Sequence, residues 1–143
     1  MDDTLNANAK LNHIAVAVTD LEAALSFYRD ALGLQLDHVE DVPEEKSRVA
    51  FIPLGNSEIE LVQPTSDDTG VAKWLAKHGP GMHHVAIQVE NLDATLARLK
   101  QRNIELTSPE PRQKPNGTRY AFVHPRSAFG VLVELYEVRS SQS

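Results

Sequence analysis

The chain of 143 residues contains no cysteine. That excludes disulfides, thiolate zinc sites and cysteine nucleophiles, and it fits a reducing cytoplasm. Any metal bound here must be held by nitrogen and oxygen. No segment approaches the ~20 consecutive apolar residues that span a bilayer, so no membrane partner is expected. The opening residues Met1-Asp2-Asp3-Thr4-Leu5 have no basic stretch leading into an apolar core, so no secretory leader is expected. Positive charge is scarce as well: 14 Lys and Arg stand against 20 Asp and Glu, a formal net charge of -6. Nucleic acid and anionic membrane surfaces are therefore poor candidates for the main partner. The acidic residues are scattered, and their small knot at Glu40-Asp41-Val42-Pro43-Glu44-Glu45 reads as a solvated loop. There is no Walker loop, GxSxG elbow, HExxH pair or GxGxxG fingerprint.

What is present is a repetition. His13-Ile14-Ala15-Val16-Ala17-Val18-Thr19-Asp20-Leu21 returns as His84-Val85-Ala86-Ile87-Gln88-Val89-Glu90-Asn91-Leu92. Each copy opens with a histidine, runs along an apolar strand and turns into a helix. A glutamate inside a second apolar run follows 47 residues after the first histidine and 50 after the second, in Ile59-Glu60-Leu61-Val62 and Val133-Glu134-Leu135. A unit of about 70 residues is too long for a solenoid repeat and suits a duplicated half-domain. The expected class is α+β, with two tandem βαβββ modules at about 11–65 and 82–138 joined by a helical bridge over 66–81. Together they make one domain over 1–143.

In the first module a strand is expected over 12–18. Thr19-Asp20-Leu21-Glu22 reads as a capping box, with the Thr19 hydroxyl accepting from a free amide. The helix should run to Gly33, with Leu21, Leu25, Tyr28 and Leu32 on its core face. Strands are expected near 35–40, 47–53 and 57–63, the last two joined at Gly55-Asn56. Ser66-Asp67-Asp68-Thr69 should cap the bridge helix, and Gly79-Pro80-Gly81 should close it. The second module should repeat the order: strand 83–89, Asn91 as cap, a helix to about 102, then strands near 104–107, 119–124 and 130–137. Between them Ser108–Gly117 reads as a long proline-rich flap over a cavity. Residues 1–10 and 138–143 read as tails.

Strand side chains alternate faces, so parity filters the candidates. His13, Ala15 and Ala17 oppose the apolar Ile14, Val16 and Val18, which should pack on the helices. By the same test Glu60, His84 and Glu134 fall on the face away from the helices. Parity disfavours His83, Gln63 and Glu137 and does not exclude Glu58. A lone strand histidine is usually a satisfied surface residue, and a lone glutamate between apolar neighbours is usually the wet side of a strand. Their duplication is what turns four ordinary residues into a metal site. Two imidazoles and two carboxylates suit a divalent ion with open positions, and they leave the site near neutral toward an anionic substrate.

Basic residues gather late, at Arg112, Lys114, Arg119 and Arg126. They read as a rim for the phosphates of a large anionic substrate. His124-Pro125-Arg126-Ser127-Ala128-Phe129-Gly130 should form a tight loop ending beside Glu134, with backbone amides able to cradle a carboxylate. Substrate contacts are expected from Arg119, Arg126, Ser127 and Lys114. Trp74 reads as packing for the bridge helix.

Several segments together resemble the vicinal oxygen chelate superfamily (glyoxalase, bleomycin-resistance and dioxygenase type), and within it the methylmalonyl-CoA epimerases. They are Leu11-Asn12-His13-Ile14, Phe27-Tyr28-Arg29-Asp30-Ala31-Leu32-Gly33, Leu54-Gly55-Asn56-Ser57-Glu58-Ile59-Glu60-Leu61, Val71-Ala72-Lys73-Trp74-Leu75, Gly81-Met82-His83-His84 and Phe122-Val123-His124-Pro125-Arg126-Ser127. The resemblance covers about residues 11–138. It implies a curved, partly open barrel-like mixed sheet around a metal-binding cavity, with His13, Glu60, His84 and Glu134 as metal ligands. It implies inversion of the α-carbon of methylmalonyl-CoA or a close 2-acyl-CoA through a metal-stabilised enolate, as in propionate metabolism. It also implies a small-molecule acyl-CoA substrate, a cytoplasmic homodimer, and a divalent ion: Co2+ first, with Mn2+, Ni2+, Fe2+, Zn2+ and Mg2+ as alternatives.

Glu134 is the expected proton carrier on one side of the substrate. Some epimerases offer an independent glutamate in the strand that here reads Arg48-Val49-Ala50-Phe51-Ile52, where this chain has none. Glu60 is then the first substitute for the second carrier. Phe129-Gly130 replaces a Gly-Gly pair and is expected to reshape the acyl pocket. Two other readings stand beside the epimerase: a lactoylglutathione lyase, with the same ligand set and enolate chemistry, and a non-catalytic small-molecule-binding resistance protein, in which apolar residues should replace the ligands.

Overall fold

The computed structural model describes residues 4–138. The chain divides into two compact units: His13–His83, and the chain from His84 onward together with the residues up to Asn12. Among the described residues, no helix is long and apolar enough to cross a membrane.

In the unit His13–His83 the elements are β1 (Lys10–Ala17, which begins just outside it), α1 (Leu21–Leu25), β2 (His38–Val42), β3 (Ser47–Leu54), β4 (Ser57–Pro64) and α2 (Gly70–His78). The strands lie in the order β2-β3-β4-β1, with β1 parallel to β4 and the other neighbours antiparallel. Gly55 has φ +66 at the first position of the two-residue β3–β4 turn, a conformation that glycine takes without a steric penalty. Leu21 and Leu25 of α1 pack with Ala50, Ile52 and Leu61 as the core.

Two details of this unit differ from the sequence reading. The helix cap is Asp20, not Thr19: its carboxylate accepts the Ala23 N–H at 3.2 Å, and a carboxylate suits the positive end of a helix. After Leu25 the chain winds into a π-helical segment over Ser26–Ala31, with Leu32 N–H bonded to the Phe27 carbonyl. The wider turn rotates later residues off the 3.6-residue stripe. Tyr28 still packs against the core, but Leu32 is 54% exposed. The bridge helix α2 is capped by the Thr69 hydroxyl, which accepts from Ala72 N–H at 3.0 Å, and it is closed by Gly79.

The other unit holds β5 (Gly81–Gln88, which begins just outside it), α3 (Leu92–Gln101), β6 (Arg112–Gln113), β7 (Arg119–Val123) and β8 (Val133–Glu137). Its strand order is β5-β8-β7-β6, with β5 parallel to β8. Asn91 caps α3 by accepting from Ala94 N–H at 3.0 Å. Leu92 and Leu96 pack with Val89, Ala121, Val123 and Leu135.

The expected strand at 104–107 is reduced to one bridge, Leu106 to Val123, because Pro109 and Pro111 just downstream have no N–H to extend a ladder. The second strand of this module is instead β6, and its turn into β7 makes a hairpin of the end of the segment read as a flap. Lys114 N–H donates to the Thr118 carbonyl at 2.8 Å, and Gly117 N–H donates back to the Lys114 carbonyl at 2.9 Å. The strand read as 130–137 starts only at Val133, since the preceding loop is bonded to itself. Nor are residues 4–10 a free tail: Asn6 Nδ2 donates to Thr95 Oγ1 at 3.2 Å, and Lys10 opens β1. Residues 1–3 and 139–143 of the expected tails lie outside the described residues.

Candidate functional site

Each unit carries a shielded histidine–carboxylate pair at a repeat-related position. β1 and β4 run parallel with His13 opposite Glu58 and Ala15 opposite Glu60. This stagger brings His13 Nδ1 to 3.3 Å from Glu60 Oε2. The imidazole is buried and the carboxylate is 18% exposed. Ile59 and Leu61, on either side of Glu60, belong to the core under α1, so the parity of β4 turns Glu60 away from the helix. On β3 the residues opposite Glu60 and Val62 are Phe51 and Val49, so this face of β3 is apolar.

The second pair repeats the first. β5 and β8 run parallel, and His84 Nε2 lies 3.2 Å from Glu134 Oε1. Glu134 is 4% exposed, while its neighbours Val133 and Leu135 pack in the core under α3. His84 also meets Phe122 edge to face at 5.4 Å, and Phe122 stands directly across the ladder from Glu134. An imidazole nitrogen and a carboxylate oxygen thus point to one place in each unit, through different ring nitrogens: Nδ1 in one and Nε2 in the other.

Two residues that parity disfavoured as ligands have a different task. Gln63 Oε1 accepts the Leu21 N–H at 2.7 Å, and Glu137 Oε2 accepts the Leu92 N–H at 2.7 Å. Each stands three residues after the glutamate of its module, and each satisfies the first amide of the module's helix, one of the donors a helix start leaves open. The recurrence of a polar residue three positions after each glutamate is a signal present in the sequence. His83 meets Trp74 edge to face at 5.4 Å.

The late basic residues separate. Arg119 lies on the helix face of β7, bonded to Asp93 at 2.8 Å and to Glu137 at 3.4 Å. The hydrogen bond from Arg119 holds the Asp93 carboxyl below its ordinary range. Arg126 Nε lies 3.3 Å from Glu105 Oε1, and Ser127 Oγ accepts the Glu105 N–H at 3.0 Å. The loop read as a carboxylate cradle spends its amides internally. Ser127 N–H donates to the His124 carbonyl, Ala128 and Gly130 N–H to the Pro125 carbonyl, and Val131 N–H to the Ala128 carbonyl. Phe129 has φ +57 and is fully exposed. Lys114 instead reaches the aromatic residues on the Glu134 face: its ammonium donates to the Tyr136 hydroxyl at 3.3 Å.

A family model described as the Glyoxalase/Bleomycin resistance protein/Dioxygenase superfamily matches residues 12–122. The chain belongs to this superfamily. Its relatives in the superfamily include the mitochondrial methylmalonyl-CoA epimerase of Mus musculus, 45% identical over 127 residues, 88% of this chain and 71% of that protein. The ethylmalonyl-CoA/methylmalonyl-CoA epimerase of Cereibacter sphaeroides is 40% identical over 90% of this chain and 98% of its own. Among solved superfamily structures, methylmalonyl-CoA epimerase from Mycobacterium tuberculosis superposes with a TM-score of 0.84, at 33% identity, over 99% of this chain and 95% of that one. The α+β fold expected from the sequence is therefore the fold of these proteins.

Proposed function

We propose that this chain is a metal-dependent epimerase that inverts the α-carbon of methylmalonyl-CoA. The observation that carries the reading is the pair of shielded histidine–carboxylate contacts at repeat-related positions, in a chain that shares its superfamily and 45% of its matched residues with a methylmalonyl-CoA epimerase.

The donor set fits a divalent ion. His13, His84 and Glu134 offer two imidazole nitrogens and a carboxylate, and Glu60 adds a second carboxylate. We assign these four as its ligands, with Co2+ the first choice. When bound, the ion supplies Lewis acidity that favours negative charge on the substrate's carboxylate and thioester oxygens. The α-carbon between those two groups carries the proton to be moved. Glu134, buried and held by His84, accepts it as the C–H bond breaks and the electron pair moves toward the thioester carbonyl. Glu60, in the other pair, delivers a proton to the opposite face, and the carbon re-forms its bond with inverted configuration. The neighbouring strand sets the apolar Phe51 and Val49 opposite Glu60 and Val62, and Glu60 lies 3.3 Å from His13.

The same reading treats the two units as one working domain and the enzyme as a cytoplasmic homodimer. The absence of cysteine supports the compartment. Phe27 and Leu32, both more than half exposed, support a covering second copy.

The decisive experiment follows solvent deuterium into the α-position of methylmalonyl-CoA. Incorporation by the metal-supplemented protein, abolished by a chelator and by Glu134→Gln, is the expected result. No incorporation, with turnover of the methylglyoxal–glutathione adduct instead, would assign the chain to lactoylglutathione lyase chemistry. Failure to bind any divalent ion would defeat both.

A further inference from the structure

The Glu134 face of β7 and β8 carries more than the His84–Glu134 pair. Facing residues on antiparallel strands share a side, and the register sets Phe122 against Glu134 and Tyr120 against Tyr136. Phe122 and Tyr120 meet edge to face at 6.1 Å, which continues the aromatic wall that begins where His84 touches Phe122. Tyr136 stands one pleat repeat, about 7 Å, along β8 from Glu134. Above these two tyrosines lies Lys114, with its ammonium 5.1 Å from the Tyr136 ring centre and 5.6 Å from that of Tyr120.

This cation is held from several sides. Its backbone makes both hydrogen bonds that close the β6–β7 hairpin. The two rings and the Tyr136 hydroxyl fix the ammonium itself. Lysine ordinarily keeps so flexible a side chain in water, and ordering it costs entropy. Of the other late cations, Arg119 is held by Asp93 and Glu137 and Arg126 by Glu105, while Arg112 stands opposite Tyr120 on the short strand β6. The amides of Ser127, Ala128, Gly130 and Val131, which might have met an anion, donate to carbonyls of their own loop. The Lys114 ammonium, packed on Tyr120 and Tyr136, thus places a positive charge on the face that carries Glu134.

We propose that Lys114 is the specificity-determining residue that recognises the free carboxylate of the acyl group, using an ammonium poised on Tyr120 and Tyr136 beside Glu134. The inference rests on the epimerase reading. It deepens that reading by separating 2-carboxyacyl thioesters from their uncharged counterparts. A substrate held at Glu134 has its acyl group one pleat repeat along β8 from Tyr136, whose hydroxyl and ring hold the Lys114 ammonium. The nucleotide phosphates lie at the far end of the pantetheine arm, well beyond that distance. The carboxylate is thus the anion within reach, and an ammonium on an aromatic, partly shielded face strengthens the pairing.

The test is calorimetric binding to the full, metal-supplemented chain, comparing wild type with Lys114→Met. Three ligands are used: methylmalonyl-CoA, propionyl-CoA, which lacks the carboxylate, and CoA itself. The substitution should weaken methylmalonyl-CoA roughly 10-fold or more, the size of one charge-assisted hydrogen bond, and leave the other two within about twofold. Thermal melting and Lys114→Arg, which keeps the charge and should recover part of the loss, guard against a folding defect. Equal losses for all three ligands would show that the cation reads phosphates, and unchanged binding would show that it reads nothing; either overturns the assignment. If wild type still exchanges the α-proton in those cases, only the Lys114 assignment falls. If wild type neither binds these thioesters nor exchanges the proton, the epimerase reading falls with it.

Discussion

Replacing Gln63 by methionine tests the idea that each module's last strand satisfies the start of its own helix. Methionine keeps the length and approximate shape of the side chain and removes the acceptor. In the structure Gln63 Oε1 takes the Leu21 N–H at 2.7 Å, and Leu21 is 2% exposed. A buried donor left without a partner costs about 1–3 kcal/mol. Gln63 itself is only half-buried, so water recovers part of this, and the lower half of the range, about 1–1.5 kcal/mol, is expected. At this chain length that lowers the melting temperature by roughly 3–6 °C. Urea titration should show an earlier midpoint with an unchanged slope, the sign of lost stability without a change in the surface exposed. Gln63→Glu makes the first module like the second, where Glu137 fills the same place. A carboxylate at a helix start should keep the hydrogen bond and add about 0.3–1 kcal/mol. The reasoning is refuted if the methionine variant stays within about 0.5 kcal/mol of wild type, or if the glutamate variant loses as much as the methionine one.

Two further predictions concern the edges of the modules. His38 stacks on Phe51 at 4.4 Å, and its hydrogen bond to Asp37, then that to Glu40, raises its pKa from the ordinary 6.5. A raised folded-state value means a contribution fully present below pH 6.5 and lost as pH climbs through the raised value. His38→Gln should therefore lower the urea midpoint more at about pH 5.5 than at about pH 9, where only the stacking on Phe51 is lost; a difference of equal size at both would remove titration as the cause. Phe129 sits fully exposed at φ +57, where a side chain is strained and this one gains no packing in return. Phe129→Gly should raise thermal stability by about 1 kcal/mol, and a loss on melting would show that the ring has a contact of its own.

Much of the candidate site was legible because strand parity is a local property. Once the apolar positions Ile14, Val16, Ile59, Leu61, Val133 and Leu135 are assigned to the helix side, His13, Glu60 and Glu134 have only one other side to occupy. Helix starts were nearly as legible. Asn91 and Thr69 are caps as read, and Asp20 replaces Thr19 by a single position. The misread positions share a cause. Leu32 lies beyond a π-helical segment that no spacing rule announces, so the 3.6-residue stripe carried it to the wrong side. The Ser108–Gly117 segment looked structureless because prolines mask pairing. Its hairpin closes through backbone bonds between Lys114 and its neighbours, which depend on no particular side chain.

The sequence by itself determined the duplication, the α+β class and the four ligand candidates, because period and parity are written into the order of residues. Only the tertiary structure decided what the remaining polar residues do. Gln63 and Glu137 read alike as discarded ligands until they were seen against Leu21 and Leu92, residues more than 40 positions away. Arg119, Arg126 and Lys114 read alike as a basic rim until Asp93, Glu137 and Glu105 claimed the first two and the tyrosines held the third. The physical reason is the same in each case: a charge or hydrogen-bonding group acts over a few ångströms of space, and which partners lie within that range is set by how the strands pair.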